Sequence, residues 1–208
     1  MSKGLFIVFE GGEGSGKTNH VQRTAKWLEN KNHTVLQTHE PGGSELGKKI
    51  RNLLLDSKAD NIHPRSELFL FLADRSEHIE SVIKPALTEQ KIILCDRFTG
   101  STFAYQIGAR RLTGEEVIKA TEQYSRDNIE PDIVIYLDVD PEVGMQRKLH
   151  QPKHEMSKFD SETIIFHSKV RSYFQKLAEN EDNWTTINAN QTLDEVQSQV
   201  EKVIGELL

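Results

Sequence analysis

The chain has 208 residues, of which 28% are charged, with a formal net charge of −6 and a negative mean hydropathy. It is long enough for one ordinary domain with a full core, and no apolar run reaches membrane-spanning length. The acidic balance excludes a protein that coats nucleic acid electrostatically, and the N-terminus lacks the basic-then-apolar layout of a secretory signal, so one cytoplasmic domain over 1–208 is expected. The single cysteine, Cys95, permits neither a disulfide framework nor a thiolate metal cage, and reads as a buried bystander.

Leu5-Phe6-Ile7-Val8-Phe9 is short, β-rich and glycine-bounded, as expected of a central strand buried on both faces. Val21, Ala25 and Leu28 recur at helical spacing and precede a second strand around Thr34 to Leu36. Ser44 to Leu55 is helical in pattern, and a longer helix starts near Pro64 and runs, kinked, to Gln90. Lys91 to Asp96 and Asp132 to Asp138 give two more strands, with helical sequence between them that carries a capping box, Thr113 with Glu116. Asp140 and Pro141 open another helix. Its apolar period is lost over the polar segment His150 to Asp160 and returns after Ser161, which predicts a short lid over about 148–160. Trp184 to Asn188 is a last strand, and Thr192 with Glu195 starts a C-terminal helix. Alternation of strands and helices predicts a three-layer α/β/α fold around a parallel five-stranded sheet.

Gly11-Gly12-Glu13-Gly14-Ser15-Gly16-Lys17-Thr18 fits GxxxxGK[ST] between a strand and a helix. Glycines let successive backbone N–H groups turn toward phosphate oxygens, and the helix N-terminus adds partial positive charge. Lys17 is placed to reach the β- and γ-phosphates of ATP, and the Thr18 hydroxyl to ligate the bridging Mg2+. A carboxylate at the end of a neighbouring strand completes the metal side. Asp96 and Asp138 both qualify, and Arg97 beside Asp96 favours the former; Asp138 and Asp140 read as helix-capping residues. The helix arginines Arg23, Arg126 and Arg171 read as a solvated face.

A phosphate cradle alone does not separate a kinase from a switch. The chain has no NKxD motif and no DxxG after the second candidate strand, which disfavours a GTPase switch; an ATPase switch remains the alternative. Arg51, Arg75 and Arg97, with a basic late insert, suit two phosphoryl groups held head to head.

The chain resembles the thymidylate kinase family over nearly its whole length. The likeness is carried by Phe9-Glu10-Gly11, Glu40-Pro41-Gly42-Gly43, Ala73-Asp74-Arg75 with Glu77-His78, Asp96-Arg97-Phe98, Ala104-Tyr105-Gln106, and Pro131-Asp132 before Tyr136-Leu137-Asp138. The resemblance implies transfer of the ATP γ-phosphoryl group to dTMP, on the way to dTTP for DNA synthesis, by a homodimer that binds neither nucleic acid nor membrane. Phe71 then corresponds to the aromatic that stacks on thymine, although its place in Leu68-Phe69-Leu70-Phe71-Leu72 also suits core packing. Arg75 corresponds to the donor to a thymine carbonyl. Thr102, with Ser101 beside it, and Gln106 correspond to readers of the far edge of the base, and Tyr105 to the residue that crowds a ribose 2′-hydroxyl. Arg51 and Arg97 correspond to clamps on the acceptor phosphate, Glu13 to a contact near the deoxyribose hydroxyl, and Glu40 to its support.

Three positions depart from the family pattern: Gly100 for aspartate, His39 for arginine, and Asn19 for a hydroxyl residue. With no arginine in the P-loop, the resemblance implies a lid cation from Arg147, Lys153 or Lys158, and Ser157-Lys158-Phe159-Asp160 resembles a lid motif with lysine in place of arginine. His150 and His154 have no evident third ligand and read as solvated.

Overall fold

The computed structural model describes residues 4–55, 62–150, 159 and 162–208. Strand β1 (Leu5–Glu10) lies at the middle of the sheet and leads into helix α1 (Lys17–Glu29), then β2 (Val35–His39), α2 (Glu45–Leu55) and α3 (Pro64–His78). A π-helical turn, Ile79–Ile83, links α3 to α4 (Lys84–Thr88) and β3 (Ile92–Asp96). Where a kink is expected in this long helix, the chain takes the π-helical turn just before Pro85, whose nitrogen carries no N–H to donate. Helix α5 (Thr99–Thr102) runs into a second π-helical turn, Phe103–Ala109, and α6 (Glu115–Ser125) and β4 (Ile133–Asp138) follow. Helices α7 (Pro141–Leu149) and α8 (Ile164–Asn180), strand β5 (Trp184–Asn188) and α9 (Leu193–Gly205) complete the order.

All strand pairs are parallel, in the order β2-β3-β1-β4-β5. The two-faced burial expected of β1 is explicit. Ile7 and Phe9 join a core with α1 and α9, including Val21, Ala25, Leu28, Val196 and Val200. Phe6 and Val8 point the other way and pack with Ile79, Ile83, Ala86 and Phe98. A third, aromatic cluster under α8 joins Tyr105, Tyr136, Phe166 and Phe174. Helices thus cover both faces, in the expected three layers.

Several local expectations change. Gly114, left-handed at φ 84, is the N-cap of α6, so the Thr113–Glu116 box does not form. The Thr192–Glu195 box does. Asp140 occupies the N-cap of α7 without a side-chain cap bond; its carboxylate pairs instead with Arg171, which also binds Asp138 through Nε at 2.7 Å. Arg171 is therefore not a solvated residue, and neither is Arg126, which is buried against Glu122 at 3.1 Å. Cys95 is buried, as expected.

Candidate active site

Register sets the site. Phe9 pairs with Asp96, and Asp96 with His39 of β2, so three strand ends and the loops after them share one edge. The Arg97 N–H donates to Phe9 O at 2.9 Å, which ties the loop after β3 to the start of the P-loop. Arg97 itself has φ 71, a left-handed conformation that costs a non-glycine residue and is held by these contacts. Ligand crevices of open α/β sheets form at this carboxyl edge.

Gly16 (φ 92) ends the P-loop and caps α1. Gly14 (φ 68) is the tightest point: a Cβ there would lie 2.0 Å from Gly144 O, and a Cβ on Gly144 would lie 2.2 Å from Glu13 O. The loop and α7 can approach this closely only because both positions are glycine. Lys17 Nζ spans the loop and donates to Gly11 O at 3.0 Å, Gly12 O at 2.9 Å and Ser15 Oγ at 3.2 Å. Burial, reinforced by the Arg97 charge, pulls the Lys17 ammonium down to about 8. Thr18 Oγ1 donates to Asp96 Oδ2 at 2.6 Å, so the two candidate metal-side oxygens are already together.

Glu13 forms the junction between halves of the site. Its Oε1 accepts from Arg97 Nη2 at 2.6 Å and Tyr105 Oη at 3.0 Å, and its Oε2 from Lys148 Nζ at 2.6 Å. Burial opposes its ionisation, but Arg97, Lys148 and Lys17 overcome this and hold the carboxyl far below the usual range. Arg97 also donates to Ser101 Oγ at 3.0 Å.

The other half of the site rests on a buried polar chain. Arg75, 2% exposed, donates through Nε to Glu40 Oε2 at 2.9 Å and through Nη1 to Thr102 Oγ1 at 3.0 Å, with Glu122 Oε1 at 3.4 Å. Burial disfavours its charge, yet Glu40 and Glu122 raise it above the ordinary arginine range. His78 Nδ1 lies 2.9 Å from Glu40 Oε1, and His78 Nε2 lies 2.7 Å from Thr38 Oγ1. Arg51 donates to Pro41 O at 2.6 Å. Phe71 is half-buried, its ring 6.4 Å from that of Phe159.

One cleft of about 1240 Å³ brings these groups together. Its lining includes Glu13, Gly14, Gly16, Lys17, Thr18, Glu40, Arg51, Phe71, Arg75, Asp96, Arg97, Ser101, Thr102, Tyr105 and Gln106. That exceeds the usual room for one small ligand and suits two. Lys153 and Lys158 lie outside the described residues. Arg147 points elsewhere, donating to Ala189 O at 2.7 Å and Gln191 O at 3.2 Å. The cation that α7 brings to the cleft is its neighbour Lys148; helical phase, invisible in a count of basic residues, separates the two.

Glu10 has no role in the sequence reading, yet it is fully buried and accepts from the Phe98 N–H at 2.9 Å, the Ser101 N–H at 2.9 Å and Ser101 Oγ at 2.6 Å, fixing the Arg97 loop. Its signal is an acid closing an otherwise apolar strand. Gly100 is explained as well: a Cβ there would lie 2.6 Å from the Trp184 ring and 3.0 Å from Glu10 Oε1, which leaves no space for aspartate.

A parallel sheet with a P-loop at its centre, a Thr18–Asp96 oxygen pair, and a second arginine-lined half in the same cleft define a P-loop phosphotransferase. Comparison with known proteins narrows the class. The family model described as thymidylate kinase matches residues 9–200. Proteins named thymidylate kinase from Thermosipho africanus and Clostridium novyi are 40% and 39% identical, covering 96% of this chain and 97% and 98% of their own. One from Shouchella clausii is 37% identical over 100% of this chain and 98% of its own. The chain belongs to the thymidylate kinase family.

Proposed function

We propose that this chain transfers the γ-phosphoryl group of ATP to the 5′-phosphate of dTMP within the described cleft, giving dTDP and ADP and feeding dTTP synthesis. The observation that carries the reading is the meeting, in one cleft, of the P-loop and an acceptor half built from Arg51, Phe71, Arg75 and Gln106. An acceptor phosphate oxygen forms the new bond to the γ-phosphorus as the bond to the β,γ-bridging oxygen breaks, so the protein's task is positioning and charge neutralisation. Gly11 to Thr18 cradle the donor phosphates. Arg51 and Arg97 hold the acceptor phosphate, and Lys17 and Arg97 offset charge on the group in flight. Phe71 stacks on the base, Arg75 and Gln106 meet its polar edge with Ser101 and Thr102 beside them, and Tyr105 and Glu13 bound the sugar.

Thr18 Oγ1 and Asp96 Oδ2, 2.6 Å apart, fit a magnesium ion that takes one or two protein oxygens and completes its shell with phosphates and water. Among the described residues no cluster of three His, Cys, Asp or Glu forms an all-protein metal cage, which agrees with a metal that arrives with the nucleotide. Bound there, magnesium supplies charge neutralisation at the β- and γ-phosphates. Lys148 joins Lys153 and Lys158 as a source of the late cation in place of Arg147, whose guanidinium is committed to Ala189 O and Gln191 O. Family membership supports a cytoplasmic homodimer, each copy working as one kinase domain, which sedimentation of the purified chain would test.

The deciding experiment is an ADP-release assay with each nucleoside monophosphate in turn. ATP turnover that depends on dTMP supports the reading. Equal turnover without any acceptor would make the chain an ATPase switch, and a stronger response to another monophosphate would relocate its specificity.

A further inference from the structure

Gln106 lines the cleft and is fully buried, yet its Oε1 has no partner in the protein. Its other amide atom is committed: Nε2 donates to Glu67 Oε1 at 2.9 Å. Glu67, on α3 and 1% exposed, does not line the cleft, and it is itself anchored. Arg110 Nε lies 3.4 Å from the same Oε1, while Arg110 Nη1 donates to Glu162 at 2.6 Å and its guanidinium lies 5.0 Å from the centre of the Phe166 ring. The carboxylate therefore cannot follow Gln106 if the amide turns. Turning it would set two acceptor oxygens against each other in a buried site, a costly arrangement.

We propose that Glu67 is a specificity-determining positioning residue that fixes the amide orientation of Gln106, so that an acceptor, never a donor, faces the base. This rests on the acceptor reading above. A thymine or uracil ring presents N3–H, a donor, to such an atom; cytosine presents N3, an acceptor, and is rejected. A buried polar group left unmatched discriminates far more strongly than a missing methyl group. Glu67 thus sorts imide pyrimidines from cytosine and is indifferent to the 5-methyl group.

Glu67→Gln tests this, because a carboxamide both donates and accepts and permits either orientation of Gln106. The kcat/KM preference for dTMP over dCMP should fall about tenfold, mainly through a lower KM for dCMP, while the preference for dTMP over dUMP stays unchanged. In a Gln106→Leu background the same substitution should leave the dTMP:dCMP ratio where Gln106→Leu put it. If Glu67→Gln does not fold, Glu67→Asp, which withdraws the carboxylate by one methylene, should show the same selective loss. A purely structural role would lower all three acceptors in proportion, and that result overturns the inference. A wild-type chain that does not prefer dTMP over dCMP would sink the acceptor reading itself, whereas a normal preference left untouched in Glu67→Gln and Glu67→Asp sinks only the role of Glu67.

Discussion

The Thr18 hydroxyl donates to Asp96 Oδ2 at 2.6 Å, joining the first turn of α1 to the end of β3 across 78 residues of sequence. The contact is a consequence of register, since Phe9 is paired with Asp96 one strand away. It places two hard oxygens side by side in the cleft lined by the P-loop.

If that pair serves a metal that enters with ATP, weakening either oxygen should change the demand for the metal before it changes the fold. Asp96→Asn and Thr18→Ala should each raise the magnesium concentration for half-maximal rate by about tenfold or more. Rate against magnesium at fixed ATP measures this. A lower maximal rate with an unchanged magnesium midpoint would return the pair to a structural role.

Lys17 should impose the alkaline limit on activity. Burial and Arg97 lower its ammonium to about 8, so the free protein loses that charge as pH rises through 8, and kcat/KM for ATP should fall along a limb centred there. Bound phosphates favour the charged form, so the corresponding limb in kcat should lie at higher pH. Lys17→Ala should reduce turnover by about 100-fold or more. Parallel pH profiles of kcat and kcat/KM would assign the limb to another group.

The P-loop and the strands were readable because each depends on local pattern: apolar runs between glycines mark buried strands, and GxxxxGK[ST] needs only its neighbours. Even the irregular helical turn before Pro85 sits where a local steric rule puts it. What escaped depends on long-range geometry. Glu10 reads as a charged end to β1 until Phe98 and Ser101 are seen to bind it from residues about ninety positions away. Lys148 and Arg147 are equivalent in composition, and only the phase of α7 sends one to Glu13 and the other to the loop after β5. Glu122 lies on a helix whose outward pattern looks solvated, and Arg126 caps its end, yet they close the buried chain behind Arg75. The departure at Gly100 likewise needs Trp184 for its explanation.

Phe71 is half-buried at the cleft, one ring away from Phe159, and it lies in an apolar helical run that could have buried it completely. If the ring serves the acceptor base, Phe71→Ala should raise the KM for dTMP by about tenfold or more while leaving the KM for ATP near its original value. Thermal melting alongside the kinetics separates the alternatives. A large loss of stability with both KM values unchanged would make Phe71 a core residue.

Asp74 is 1% exposed, accepts from the Gly42 N–H through Oδ1 at 2.9 Å, and has no partner for Oδ2. Burial, with the Glu40 charge added, pushes its carboxyl up to about 6. An acid that titrates higher in the folded chain than in the unfolded one keeps its proton longer when folded, so stability should fall as pH rises from about 4 through 6. Below that window both states are protonated and the penalty is absent; above it the penalty is complete. Asp74→Asn keeps an acceptor for Gly42 and removes the charge, though its amide N–H groups gain no evident partner. The net gain at pH 8 should be about 1 kcal/mol, or about 2–4 °C in Tm for a chain of this size, and near pH 4, where the charge penalty is nearly gone and the cost of the unpartnered amide remains, the variant should be the less stable of the two. Melting curves of the two proteins across pH 4–8 measure the difference directly. A wild type that is more stable than the variant at pH 8 would mean that Arg75 and His78 outweigh burial and that ionised Asp74 supports the loop carrying Gly42.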